Sequence, residues 1–227
     1  MADQDIKQTL LDAAKPHVPF DGWSEATFRA AQKDASISPG LATAACPRGA
    51  VDLAMAFHEE GDEAMLALLK EADLSQMRFR DKVTAAVRYR LEAVDDKELV
   101  RRGVTLFALP HYAFEGAQAI WTTCDHIWTA LGDRSDDVNW YTKRATLSGV
   151  YSATVLYWLG DESEGHEKTW AFLDRRIEDV MQFEKVKAKA RDNKLIDGLM
   201  KGPLSFLNRI KAPSGTSPTG MPGRWSR

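Results

Sequence analysis

Apolar residues recur along most of this chain at intervals of three and four, the period of a helix with one buried face. Ile6, Leu10, Leu11 and Ala14 define a first helix, ended before Pro16 and Pro19. Ser24 is placed to cap a second helix, with Glu25 in its first turn and Phe28 and Ala31 on its buried face. The connector Ser36–Gly40 leads to a short third helix around Leu41–Cys46. Pro47, Arg48 and Gly49 break that helix, and a fourth runs through Val51, Leu53, Met55 and Phe57. Further helices are predicted at about 62–70, 78–94, 97–108, 111–131, 137–159 and 165–187. Alternation with period two is scarce and β-branched clusters between turn signals are absent, so the chain reads as all-α.

Three of these helices carry wide apolar faces. Trp121, Cys124, Trp128 and Leu131 share one stripe, widened by Ile120 and Ile127. Leu147, Tyr151, Val155 and Trp158 form the next. Phe172, Leu173, Ile177, Val180 and Met181 form the third. Large faces converging in an all-α domain can make a solid core or enclose a lipid-sized cavity, and periodicity does not separate the two. Ala145, Gly149, Ser152 and Leu156 add a row of mostly small residues, which suits a dimer seam or a close internal helix contact equally.

The first 60 residues read helix, helix, tight turn, short helix, break, helix. That is the layout of a helix-turn-helix module at the head of an all-α regulator of the TetR type. Charge argues against its use on DNA. Lys7, Lys15, Arg29, Lys33 and Arg48 face nine acidic residues over this stretch, and the reading helix would offer only Leu41 to Cys46. Phosphate neutralisation dominates DNA affinity, so the module is expected to be degenerate. A ligand-responsive transcription regulator remains the competing class.

The 227 residues, 44% apolar and 28% charged, have the composition of a soluble globular protein with a sizeable core. No apolar run is long enough to span a bilayer. The acidic start of the chain resembles neither a signal peptide nor an Arg-rich transit peptide. Cys46 and Cys124 are expected to be reduced thiols. The net charge of −3 conceals an asymmetry: from Lys185 onward ten basic residues stand against Asp192 and Asp197 alone. Within that basic end, Ile196, Leu199, Met200, Leu204 and Leu207 lie roughly on one helical face, with Phe206 beside it and Gly202-Pro203 as an interruption. This is the pattern of a membrane-interface anchor, or of a terminal helix docked on its own domain. The expected organisation is a helix-turn-helix module over 1–60, a helical domain over 61–187, a basic amphipathic helix over 188–211 and a disordered tail over 212–227.

No nucleophile with a base, no metal-ligand spacing and no phosphate-binding loop appears, and the Glu-x-x-His pairs of a di-iron bundle are missing. The chain is therefore expected not to be an enzyme. The densest unusual feature is Asp137 to Ala145, where Trp140 and Tyr141 sit among Asn139, Lys143 and Arg144 in the first turns of a helix. Aromatic rings among charges are the composition of a partner-binding patch.

That segment carries a family resemblance. The run Gly132 to Ala145 (Gly-Asp-Arg-Ser-Asp-Asp-Val-Asn-Trp-Tyr-Thr-Lys-Arg-Ala), the run Gly149 to Thr154, the run Thr169 to Met181 and Leu109-Pro110-His111 resemble the lipid-binding protein family of ubiquinone biosynthesis, its ninth numbered component in eukaryotes. Coverage is strongest from about 100 to 185. The resemblance implies a TetR-like all-α homodimer that does not act on DNA, with a cavity for an isoprenoid or phospholipid and no other cofactor. It implies a partner, the di-iron demethoxyubiquinone hydroxylase or a bacterial counterpart, met through Asp137, Trp140, Tyr141 and Arg144. It gives the lipid-lining role to Trp121, Cys124, Trp128, Leu147, Tyr151, Trp158, Phe172 and Ile177. The family's last helix is linked to membranes, in line with Ile196, Leu199, Met200, Leu204, Phe206 and Leu207. Eukaryotic members carry a transit peptide, whereas here a helix begins almost at once; that implies a bacterial cytoplasmic protein, peripheral on the inner membrane.

Overall fold

The computed structural model describes residues 3–191, 211 and 212, with side chains described for 4–182 and for 211 and 212. All regular structure among them is helical: α1 (Asp3–Ala14), α2 (Val18–Asp21), α3 (Glu25–Asp34), α4 (Pro39–Ala45), α5 (Ala50–Glu71), α6 (Phe79–Glu92), α7 (Lys97–Phe107), α8 (Ala113–Ala130), α9 (Val138–Leu159) and α10 (Glu167–Arg191), the last entered through a 3-10 turn at Glu164–His166. None of the described helices is long and apolar enough to cross a membrane. The residues expected to meet a membrane, Ile196, Leu199, Met200, Leu204, Phe206 and Leu207, lie outside the described residues.

The described chain packs as two compact units, residues up to 68 with 89–119, and residues 69–88 with those from 120 on. The boundary expected at residue 60 instead falls inside α5, which runs unbroken from Ala50 to Glu71. Two separate helices were expected there. Gly61 looks like a break in sequence, but a Cβ at that position would collide with the Arg90 guanidinium. Arg90 is buried against α5, with Nε donating to Asp62 at 2.6 Å and a terminal nitrogen donating to the His58 carbonyl at 2.9 Å. Gly61 thus marks a close approach, and its helix-propensity cost of about 1 kcal/mol is offset by that ion pair.

In the first unit, α1 packs on α3 and α4. Leu10, Leu11, Ala14, Phe28, Ala31 and Leu53 fill the core between them. The Trp23 indole lies there too and donates to the Leu99 carbonyl at 3.0 Å. Ser24 and Ser38 cap α3 and α4 by accepting from Thr27 and Leu41. The α2 turn was not foreseen; Pro19 sits in its first turn, where a missing N–H costs nothing. Along α4, Ala42 turns inward, while Leu41, 54% exposed, Thr43 and Ala44 turn outward. No cation is on that outward face.

In the second unit, α9 packs on α10, and Cys124, Ile127, Leu147, Tyr151, Trp158 and Leu173 are buried. Asp161 fastens the turn between the two helices. One carboxylate oxygen accepts from the Ser163 N–H and hydroxyl, the other from the Thr169 N–H and hydroxyl, at 2.6–2.9 Å. The Ser163 and Thr169 hydroxyls hold this carboxyl well below the usual carboxylate range. The acidic loop at 161–167 therefore acts as a helix entrance, and among the described residues no group of His, Cys, Asp and Glu side chains is arranged to hold a metal ion.

Candidate functional site

The site begins where α8 stops. Gly132 adopts φ 79°, and the Asp133 N–H returns to the Trp128 carbonyl at 2.9 Å, closing the helix with a left-handed cap. The chain then turns through Ser135 and starts α9 at Asp137, whose carboxylate accepts from the Asn139 N–H at 2.8 Å and from its side-chain amide at 2.9 Å. Asp137, expected to face a partner, is the N-cap of α9.

Arg144, also expected on the surface, is only 2% exposed. Its Nε donates to Asp125 at 2.5 Å, and one terminal nitrogen donates to Asp133 and to the Trp140 carbonyl, both at 3.1 Å. Its guanidinium lies 4.0 Å from the centre of the Trp140 ring. Arg144 thus holds Trp140 from below. Asp133, whose side chain is 3% exposed, also accepts from Lys143 at 2.7 Å and from the Ser135 hydroxyl at 2.8 Å. Burial alone would push its carboxyl up; the hydrogen bonds from Lys143, Ser135 and Arg144 outweigh that and bring it to about 2.

Trp140 and Tyr141 are half-buried. They meet edge to face at 4.8 Å and lie 6.0 and 6.4 Å from buried Trp121. The chain's own residues 211 and 212 reach this patch: the Ala212 N–H donates to the Asp136 carbonyl at 2.9 Å, and the Tyr141 hydroxyl donates to the Lys211 carbonyl at 3.4 Å.

The neighbouring face of the same α9 turns lines a cavity of about 220 Å³. Asn139, Thr142, Lys143, Thr146, Leu147 and Val150 form its α9 wall. Phe79, Arg80 and Val83 come from α6, Trp128 from α8, and Ile177, Val180 and Met181 from α10. Phe79, 46% exposed, stacks on Trp128 at 5.5 Å and 27°, and Lys143 lies 5.2 Å from the Trp128 ring centre. The volume is below the roughly 300–1,000 Å³ of pockets that bury a whole small ligand, so it fits part of a long one.

Of the eight residues expected to line a lipid site, Trp128, Leu147 and Ile177 do line this cavity. Trp121, Cys124, Tyr151 and Trp158 are buried in the packed core and do not line it. Phe172 stacks instead on Tyr157, at 4.6 Å and 9°, with Arg176 over its ring. Sequence reasoning missed the α6 contribution of Phe79 and Val83, which a helical period cannot connect to α9. Ala145, Gly149 and Leu156 are exposed, Leu156 at 61%, and a Cβ on Gly149 would meet nothing. The internal-contact reading of that row therefore has no partner helix among the described residues.

An all-α chain with a helix-turn-helix head, a small apolar cavity and a half-buried aromatic patch is a TetR-like helical protein. The fold comparison agrees: a TetR transcriptional regulator from Nitrosomonas europaea matches at a TM-score of 0.63 over 76% of this chain and 96% of its own, with 17% identity, which speaks to fold alone. The COQ9 family model matches residues 113–184, the stretch holding the patch and most of the cavity. The mitochondrial ubiquinone biosynthesis protein COQ9 of Rattus norvegicus is 30% identical over 91% of this chain and 69% of its own length. The Homo sapiens protein of that name is 28% identical over 91% and 68%. That of Drosophila melanogaster is 31% identical over 79%, and this chain spans 56% of its length. The chain belongs to the COQ9 family.

Proposed function

We propose that this chain is a non-catalytic lipid-binding accessory protein of ubiquinone biosynthesis, which presents a polyprenylated quinone precursor at the membrane to a ring hydroxylase. Such a precursor is almost insoluble, so an enzyme outside the bilayer needs its head lifted to the interface. The observation that supports this reading is the sharing of one helical segment. Asn139, Thr142 and Lys143 line the cavity, while Trp140 and Tyr141, half-buried on the same turns, do not. A ligand held by the first set lies beside whatever docks on the second. The partner is a di-iron demethoxyubiquinone hydroxylase or a bacterial counterpart. The protein works as a homodimer through the exposed Ala145–Gly149–Leu156 row, on the cytoplasmic side of a bacterial inner membrane.

The basic segment after Lys187 supplies the membrane contact in this reading. The transcription-regulator alternative is disfavoured by the uncharged outward face of α4 and by the acidic balance of the first 60 residues. Mass spectrometry of lipids extracted from the purified protein tests the proposal. Enrichment of polyprenylated benzenoid precursors is expected, and a lipid profile identical to that of the bulk membrane would count against it.

A further inference from the structure

The aromatic patch has an occupant. Lys211 and Ala212 stand outside any helix, and the peptide unit that joins them lies against the start of α9. Its N–H donates to the Asp136 carbonyl at 2.9 Å. Its C=O accepts from the Tyr141 hydroxyl, a longer contact at 3.4 Å. The N–H and C=O of a trans peptide point to opposite sides, so one unit is gripped at both of its polar groups. Neither contact uses a side chain of Lys211 or Ala212; the hold is on the main chain. Pro213 comes next, and a residue before proline is biased away from the helix toward extended backbone.

The place of this contact matters more than its strength. Asp136 directly precedes the α9 cap Asp137, and Tyr141 meets Trp140 edge to face at 4.8 Å. A segment bonded to both Asp136 and Tyr141 spans the stretch that holds Trp140. Two such hydrogen bonds would hold a separate peptide only weakly. Here the segment belongs to the same chain, so seating it draws no second molecule out of solution, and an intramolecular contact of modest strength can dominate. A protein that docks on the patch meets Tyr141 and the Asp136 carbonyl already engaged.

Resting on the partner-patch reading above, we infer that the Lys211–Ala212 peptide unit is a self-ligand of the patch. Seated, it keeps the hydroxylase off Trp140 and Tyr141; the hydroxylase docks when the unit lifts. The apparent affinity for the partner is then the intrinsic affinity reduced by the fraction of molecules whose patch is clear.

The test uses the full chain and changes only the tail. Ala212→Pro removes the N–H that Asp136 accepts and leaves every patch residue in place. Ala212→Ser keeps that N–H and is the control. Seating is read by NMR, from a nitroxide on Ser214→Cys, two residues beyond the contact, which broadens the amide resonances of Asp136 to Tyr141 when the unit is seated. Cys46 and Cys124 are buried, which confines labelling to the new thiol. Docking is read as the affinity of each protein for the purified demethoxyubiquinone hydroxylase. The wild-type tail and Ala212→Ser should show the broadening and Ala212→Pro should lose it. Ala212→Pro should also bind the hydroxylase about fivefold more tightly, the scale of one hydrogen bond removed from the seated state. No broadening with the wild-type tail, or broadening that survives Ala212→Pro, overturns the seat. Broadening lost with no gain in affinity overturns the competition; if the hydroxylase still binds the wild type and not Trp140→Ala, the partner reading stands without it. Weaker binding by Ala212→Pro overturns the inference as well, since the tail would then belong to the docking surface. If the hydroxylase binds none of these proteins, the partner reading fails and the inference falls with it.

Discussion

Replacing Arg144 by Met separates a surface contact from an interior one. The substitution keeps most of the side chain's packing and removes the guanidinium. The lost contacts are the ion pairs to Asp125 and Asp133, the hydrogen bond to the Trp140 carbonyl and the stacking under the Trp140 ring. Removing one member of a buried ion pair typically costs about 3–5 kcal/mol, because a buried charge is left uncompensated. Here Asp133 keeps Lys143 and Ser135, and the Asp125 side chain is 32% exposed and can turn to water. The lower end, about 3 kcal/mol, is therefore expected. For a chain of this length that is a fall in the unfolding midpoint of about 6–12 °C, readable by circular dichroism. Asp133→Asn should cost about 1 kcal/mol less in the Met background than in the wild type, because its contact with Arg144 is already gone, a coupling that independent sites would not show. Partner capture should weaken with the stability loss, since Trp140 has lost its support. A Met variant that lost the hydroxylase at an unchanged midpoint, with no coupling to Asp133→Asn, would refute this reasoning and put Arg144 in direct contact with the partner.

Three further outcomes follow from the same geometry. Asp133 titrates near 2 in the folded protein, below the ordinary carboxylate value of roughly 4. Its contribution, about 2 kcal/mol, is present above pH 4 and lost as pH falls through 2. Asp133→Asn should therefore flatten the acid limb of the urea midpoint against pH, and an unchanged limb would argue against the bonded carboxylate. Trp140→Ala should reduce hydroxylase co-purification at least tenfold while leaving the extracted lipids unaltered; loss of both would mean that Trp140 serves the cavity rather than a partner. Leu156→Arg introduces a charge at the C-terminal end of the exposed α9 row and should shift the sedimentation profile from dimer to monomer, with the α-helical signal retained; an unaltered dimer would move the seam elsewhere.

The helical architecture was legible because the period of three to four is imposed by burial, and burial is the largest favourable term in folding. Cap chemistry was legible too. Ser24 does accept from Thr27, since a side-chain oxygen at that position satisfies an otherwise orphaned N–H. The sequence misled where a residue's environment is supplied by distant chain. Arg144 sits in a run of charged and aromatic residues and looks like surface. Its burial is decided by carboxylates 19 and 11 residues away, at Asp125 and Asp133. The two helices expected through Phe57 and over about 62–70 are one, α5, which runs through Gly61 where Arg90, from another helix, packs over it. The apolar stripes of α8, α9 and α10 were legible as buried faces, but a period cannot tell packed rings such as Trp158 from cavity-lining ones such as Trp128.

Asp133 ties the two halves of the site together. It accepts from Lys143, which lines the cavity and lies over Trp128, and from Arg144, which supports Trp140 under the patch. Both cations come from adjacent positions of α9, so a shift of this helical turn moves them together. An interior with little free volume does not deform smoothly, and a fully bonded, buried carboxylate resists losing either partner. What the TetR-like fold contributes is a long helix whose adjacent stripes can line an apolar cavity and present an aromatic surface within the same two turns.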